Sequence, residues 1–266
     1  MIHLFENPGK LKDKLKNKLL FIFLDFDGTL APIVRTPDKA AMPEETREAL
    51  KSLSKKPTCK IAIISGRSLE NIKGKFTGLR NIIYSGNHGL EIEGPQIKFS
   101  PLVPSGYLMA IKSIRGVLQK KIGAIKGALL EDKGLSLGLH YRLVDDKQVA
   151  RVKAIFHEAV RRYLAGKRIK IKEGKKVWEV RPPLEWDKGK VVLWLLSKQK
   201  FAKYAREVLA VYIGDDLTDE DAFKALKRTG ITVFVGRPAK ASGAQYYLND
   251  TGEVARLLKT ILEMQS

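Results

Sequence analysis

The apolar run Phe21 to Phe26 closes on two carboxylates, Asp25 and Asp27. A short, unbroken apolar run reads as a strand buried on both faces, and such strands belong in parallel sheets covered by helices. The following sequence supplies the helices. Pro43 to Leu53 starts with Pro, places Glu44, Glu45 and Glu48 early, and carries Ala49, Leu50 and Leu53, which marks a helix N-terminus and a core face. Strand-like Lys60 to Ile64, helical Ser68 to Lys75 and strand-like Asn81 to Ser85 continue the alternation. This βαβαβ rhythm predicts an α/β fold, doubly wound, with a mostly parallel sheet.

The rhythm then breaks. Leu90 to Ile92 and Gln96 to Phe99 flank the turn Glu93-Gly94-Pro95, a hairpin. A helix is expected from Ser105 to Lys121, and another where Val149, Val152, Phe156, Ala159, Val160 and Tyr163 recur at helical spacing. Between them Leu135, Leu137 and Leu139 alternate with Ser136, Gly138 and His140, and Arg142 continues the polar face. Arg168 to Lys172 and Lys176 to Arg181 read as further strands. After Pro182-Pro183 the first rhythm resumes: helix Lys188 to Leu196, strand Val208 to Ile213, helix Asp219 to Leu226, strands Ile231 to Val235 and Gln245 to Leu248, and helix Glu253 to Met264. Residues 103–183 thus form an α+β domain inserted into a core made of 1–102 and 184–266.

Composition bounds the function. The 266 residues are 44% hydrophobic and 29% charged, a globular balance. No apolar run approaches the ~20 residues of a membrane span, and no signal peptide is visible, so no membrane partner and a cytoplasmic location are expected. The single cysteine, Cys59, excludes an intrachain disulfide and lies in an apolar run as a buried, inert thiol. The formal charge is +20. Residues 104–183 hold 19 Lys/Arg against 7 Asp/Glu, so most of the surplus lies in the insertion, where it suits steering of an anionic substrate. Lys10, Lys12, Lys14, Lys16 and Lys18 alternate with Leu11, Leu15 and Leu19 as a solvated helix face. A polyanion-binding protein is the rival reading, but no nucleic-acid-binding motif is present, and no nucleic-acid partner is expected. A monomer is the favoured state.

Ligands of open parallel sheets bind at the carboxyl ends of the strands. Four polar clusters fall there: Asp25/Asp27, Ser65-Gly66-Arg67, Gly86-Asn87-His88-Gly89 and Gly214-Asp215-Asp216. Asp25, Asp27 and Asp215 together would repel one another. A hard divalent cation resolves that repulsion, and Mg²⁺ suits a few carboxylates plus phosphate. His3, His88, His140 and His157 show no zinc-ligand spacing; His88 is expected to hydrogen-bond within its loop. Trp178, Trp186 and Trp194 are expected in the core. Ser136, His140 and Arg142 share one strand face, as do Glu179 and Arg181, and Glu131 and Lys133 alternate together. Such mixed faces suit the hydroxyls of a sugar, and equally a solvated sheet surface.

Asp25-Phe26-Asp27-Gly28-Thr29-Leu30, Ser65, Lys188 and Gly214-Asp215-Asp216-Leu217-Thr218-Asp219 resemble, in order, the four motifs of the haloacid dehalogenase superfamily. The resemblance implies a Rossmann-like core with a C2-type cap that closes over the site and excludes water. It implies that Asp25 attacks phosphorus to form an aspartyl-phosphate, and that Asp27 is the general acid and base. Ser65 and Lys188 would hold the phosphoryl oxygens. Mg²⁺ would be held by Asp25, the Asp27 carbonyl and Asp215, with Asp216 or Asp219 in support. Thr29 would orient the loop, and Gly66, Arg67 and His88 would lie at the substrate, Arg67 steadying the phosphate or the contact between domains.

Glu131-Asp132-Lys133-Gly134-Leu135-Ser136, His140-Tyr141-Arg142 and Glu173 to Pro182 resemble the trehalose-6-phosphate phosphatases within that superfamily. This implies a small-molecule sugar phosphate as substrate, with Glu131, Lys133, His140, Arg142, Lys176, Glu179 and Arg181 at the sugar. Whether Lys175 or Lys176 faces it stays open. Sucrose 6-phosphate, mannosyl-3-phosphoglycerate or a hexose phosphate are the alternatives.

Overall fold

The computed structural model describes residues 1–34, 36–198, 207–237 and 242–265. In chain order its elements are β1 (Ile2–His3), α1 (Pro8–Leu15), β2 (Leu19–Leu24), α2 (Glu44–Leu53), β3 (Cys59–Ile64), α3 (Leu69–Lys75), β4 (Ile82–Gly86), β5 (Glu91–Gly94) and β6 (Ile97–Phe99). There follow α4 (Ser105–Ile122), β7 (Leu129–Asp132), β8 (Leu137–His140), α5 (Asp146–Ala165), β9 (Lys170–Gly174) and β10 (Val177–Arg181). The chain ends with α6 (Lys188–Lys198), β11 (Val208–Gly214), α7 (Glu220–Leu226), β12 (Gly230–Val235), β13 (Tyr246–Leu248) and α8 (Thr251–Met264). Two units result: Met1–Phe99 with Trp186–Ser266, and Ser100–Glu185.

The first unit is built on a nine-stranded sheet of order β1-β13-β12-β11-β2-β3-β4-β5-β6. It is parallel from β1 to β4, and β5 and β6 add an antiparallel hairpin. All six residues of β2 are buried, as an unbroken apolar run requires. Their side chains alternate between two cores. Leu20, Ile22 and Leu24 pack with Leu50, Leu53, Ile72 and Leu257 on one face; Phe21 and Phe23 pack with Val191, Leu195 and Phe223 on the other. Helices therefore cover both faces, and the doubly wound α/β architecture read from the rhythm is the one observed. Each fully buried Leu or Phe here contributes about 1.5–3 kcal/mol relative to an exposed one. Cys59 is buried, and burial pushes its thiol pKa up to about 12, so it is chemically quiet.

The second unit is a four-stranded antiparallel sheet of order β7-β8-β10-β9. Leu137, Leu139, Trp178 and Val180 point to one side and pack against Tyr107, Ile114, Val152 and Phe156 of α4 and α5. Trp178 stacks between Tyr141 and Phe156 in that core, while Trp186 and Trp194 lie against Phe99 in the first unit.

Three details depart from the pattern reading. β7 went unread, because Leu129 is exposed and no apolar alternation marks the strand. β8 stops at His140, so Arg142 sits in a turn and does not continue the strand's polar face. Of the basic N-terminal run, only Lys10, Lys12 and Lys14 lie on a helix, around buried Leu11 and Leu15. Among the described residues no helix is long and apolar enough to cross a membrane.

Candidate active site

At the carboxyl end of β2 the Asp25 amide donates to Ile213 O at 3.0 Å, the last rung alongside β11. The chain then folds back, with the Leu30 and Ala31 amides donating to Phe26 O at 3.0 and 2.9 Å and Gly28 to Ala31 O at 2.7 Å. Gly28 has φ +90°, and a Cβ there would fall 2.2 Å from Asp215 Oδ2. Only glycine lets this loop touch the loop after β11. Gly214 does the same for Asp219, whose Cγ would lie 2.2 Å from a Cβ at 214.

These two close approaches gather charge. Lys188, at the start of α6 and 2% exposed, donates to Asp25 Oδ1 and Asp219 Oδ1, both at 2.8 Å. The Tyr212 hydroxyl donates to Asp219 Oδ1 at 2.6 Å, and the Asp215 and Asp216 amides donate to Asp219 Oδ2, both at 3.0 Å. Asp25, Asp215 and Asp219 each offer a carboxylate oxygen, all within 4.8 Å of one another. Burial raises the Asp25 pKa well above the usual carboxylate range; Lys188 opposes this, and Asp219, Asp215 and Asp216 add to it. Burial alone would lower the Lys188 pKa, but Asp219 and Asp25 outweigh it and hold the ammonium charged. Three buried carboxylates facing one ammonium leave an excess of negative charge. A small divalent cation fits such a donor set, with Asp25 and Asp215 as the oxygens on offer. Asp219 differs: a carboxylate has about four acceptor positions, and four protein donors already fill them. Asp216 Oδ1 accepts from the Thr218 amide and hydroxyl at 2.7 and 2.6 Å. Its pKa falls to about 2 despite burial, through Lys188, the Thr218 hydrogen bonds and His88.

Arg67 is 5% exposed and grips Asp27 with both arms of its guanidinium, Nε to Oδ2 at 2.7 Å and Nη2 to Oδ1 at 2.6 Å. Nη1 donates to Asn71 Oδ1 at 2.9 Å and Nη2 also to Pro37 O at 2.7 Å. The Asp27 side chain is 44% exposed, so its remaining acceptor positions are open to solvent. Ser65 is buried at the end of β3, and its Oγ accepts from the Arg67 amide at 3.2 Å. His88, at φ 54°, lies over Gly66, where a Cβ would meet Nε2 at 2.4 Å. Thr29 is fully buried, and among the described residues its hydroxyl has no hydrogen-bond partner. It is placed to pack the loop.

In the second unit the sequence-selected residues form one cluster and two outliers. Glu179 is 4% exposed; its Oε1 accepts from Lys133 Nζ at 2.8 Å and Ser136 Oγ at 3.1 Å, and its Oε2 from Arg181. Glu131 Oε2 meets His140 Nε2 at 2.7 Å and Lys133 Nζ at 3.9 Å. Arg142 reaches back to Lys175 O at 3.2 Å, and Lys176 Nζ lies 5.8 Å from the Tyr141 ring centroid. Both lysines of that turn are exposed.

Two contributors were not singled out from the sequence, Tyr212 and Asn71. Tyr212 had a signal: a phenol inside the buried strand Val208–Gly214 must find a partner. Asn71, one helical turn beyond Arg67, had none.

Comparison with known proteins agrees in sequence and in fold. The family description Trehalose-phosphatase matches residues 23–252. The chain is 36% identical to trehalose-phosphate phosphatase B of Arabidopsis thaliana over 262 residues, covering 93% of this chain and 67% of that protein. It is 37% identical to the probable trehalose-phosphate phosphatase 4 of Oryza sativa subsp. japonica, covering 94% and 68%. The solved C-terminal domain of C. albicans trehalose-6-phosphate phosphatase superposes with a TM-score of 0.82 at 25% identity, covering 99% of this chain and 98% of that one. The chain belongs to the trehalose-phosphatase family.

Proposed function

We propose that this chain hydrolyses trehalose 6-phosphate to trehalose and phosphate, with Asp25 as the nucleophile. The observation that carries this reading is the buried set Asp25, Lys188, Asp215 and Asp219 in a member of the trehalose-phosphatase family. An Asp25 oxygen attacks phosphorus, the phosphorus–oxygen bond to the sugar breaks, and Asp27 delivers a proton to the leaving oxygen. Asp27 then takes a proton from the water that cleaves the aspartyl-phosphate. Arg67 presents Asp27 in one orientation for both steps. Lys188 supplies fixed positive charge where phosphoryl charge builds up, and Asp219 keeps it in place. Asp25 and Asp215 would hold Mg²⁺, which when bound screens the nucleophile from the phosphate and offsets the carboxylate excess.

The polar cluster of the second unit is the sugar-recognition element in this reading. Glu179, Glu131, Lys133, Arg181 and His140 pair acceptors with donors, as hydroxyls demand. Inorganic phosphate release from a panel of sugar phosphates, with and without Mg²⁺, tests the whole. Trehalose 6-phosphate should be preferred over sucrose 6-phosphate, mannosyl-3-phosphoglycerate and hexose phosphates, and only with the metal. A stronger preference for another member of the panel would overturn the substrate, and phosphate release indifferent to Mg²⁺ would overturn the metal.

A further inference from the structure

Gly138 stands in the interior of β8, between two partner strands. Cross-strand pairing sets it opposite Glu131 of β7 on one side and Glu179 of β10 on the other, and Glu179 in turn faces Lys172 of β9. This row lies on the sheet face turned away from α4 and α5, since Leu137 and Leu139 point into the core.

Glycine in a strand interior costs roughly 0.5–1 kcal/mol relative to alanine. It ordinarily marks a bulge, a sharp bend, or a place where a ligand or another backbone comes close. A bulge is absent, because pairing runs without a skipped residue from Leu137 to His140 on both sides. The backbone lies outside the left-handed region, so no turn requires glycine. Packing does not require it either. A Cβ at 138 would meet His140 Nε2 at 3.4 Å, Val177 Cγ2 at 3.6 Å and Glu131 Oε2 at 3.8 Å, all ordinary contacts. What remains is the room above the strand, where the His140 and Glu131 side chains lie.

We propose that Gly138 is a specificity-determining position: the space above it lets the Glu131–His140 pair lie over the strand beside Glu179, in register to receive sugar hydroxyls. The proposal rests on the trehalose 6-phosphate reading above. A methyl group fits. A branched side chain does not, because each further carbon reaches about 1.5 Å beyond Cβ. With His140 and Glu131 among the three nearest neighbours of that Cβ, the added methyls of valine are expected to press on the polar pair and move it away from Glu179.

The test compares Gly138→Ala with Gly138→Val in steady-state hydrolysis of trehalose 6-phosphate and of a small aryl phosphate, alongside thermal melting. Gly138→Ala should keep KM for the sugar phosphate within about threefold of wild type. Gly138→Val should raise that KM by tenfold or more, leave aryl phosphate turnover within about twofold, and melt cooperatively, since valine favours strands. Should valine not yield folded protein, Gly138→Thr, of the same shape and suited to a polar face, carries the same expectation. An unchanged sugar-phosphate KM in the branched variant overturns the proposal, as does an equal loss on both substrates. Failure of the underlying substrate reading would show separately, as wild-type enzyme without preference for trehalose 6-phosphate.

Discussion

Each unit holds a buried carboxylate tied to cations, and the two are unlike. In the first unit Asp25, Asp215 and Asp219 face a single ammonium, Lys188. In the second, Glu179 sits between Lys133 and Arg181, with Glu131 beside Lys133 and His140. The first cluster is out of balance and the second is close to balanced. An unbalanced buried charge is costly until an ion of opposite sign arrives. A balanced cluster has no use for an ion, but it presents donors and acceptors that neutral hydroxyls can join. In the proposed reading, this difference in charge balance separates a site for phosphate and metal from a site for sugar.

The strongest attempt to break this division is Asp25→Asn. Turnover of every substrate, aryl phosphate included, should fall by about 10⁴-fold or more, while cooperative melting is kept. Measurable activity within tenfold of wild type would end the nucleophile assignment. Metal binding tests the imbalance directly. Mg²⁺ at 100 times its Kd should stabilise the wild type by about 2.7 kcal/mol, read as a rise in melting temperature. Asp215→Asn should lose that rise, and Glu179→Gln should keep it. If both variants respond alike, the carboxylate excess does not recruit the metal.

Glu179→Gln sharpens the other side. It keeps the shape but removes the charge that holds Lys133 and Arg181, so trehalose 6-phosphate kcat/KM should drop by about 100-fold, a change of roughly 2.7 kcal/mol. Aryl phosphate hydrolysis should stay within twofold; parallel losses would remove the sugar role. The smallest effect is expected from Tyr212→Phe. Losing one of four donors to Asp219 should lower kcat about tenfold through a loosened Lys188 and cost about 1 kcal/mol of stability, with KM for the sugar phosphate unchanged. A change confined to KM would place Tyr212 in substrate binding instead.

The core was legible because its signals are local. The Phe21 to Phe26 run, the acids opening α2, Gly28 after β2 and Gly214 at the end of β11 each act within a few residues, and parallel strands buried on both faces cannot hide their composition. β7 was illegible because an edge strand with an exposed leucine carries no alternation. Arg142 was misplaced for a related reason: period-two reasoning has no stop signal, and the turn in which Val144 N–H donates to Tyr141 O ends β8 two residues early.

The amino-acid sequence by itself determined the α/β order, the inserted α+β segment and the strand-end residue types that make phosphoryl chemistry plausible, since these depend on periodicity and spacing. Partnership was decided by the tertiary structure alone. Only the folded chain gives Asp219 its four donors and sets the Arg67 fork on Asp27. Hydrogen bonds between residues such as Lys188 and Asp25, 163 positions apart, leave no trace in local pattern, because the chain brings them together only when the strands pair and the helices pack.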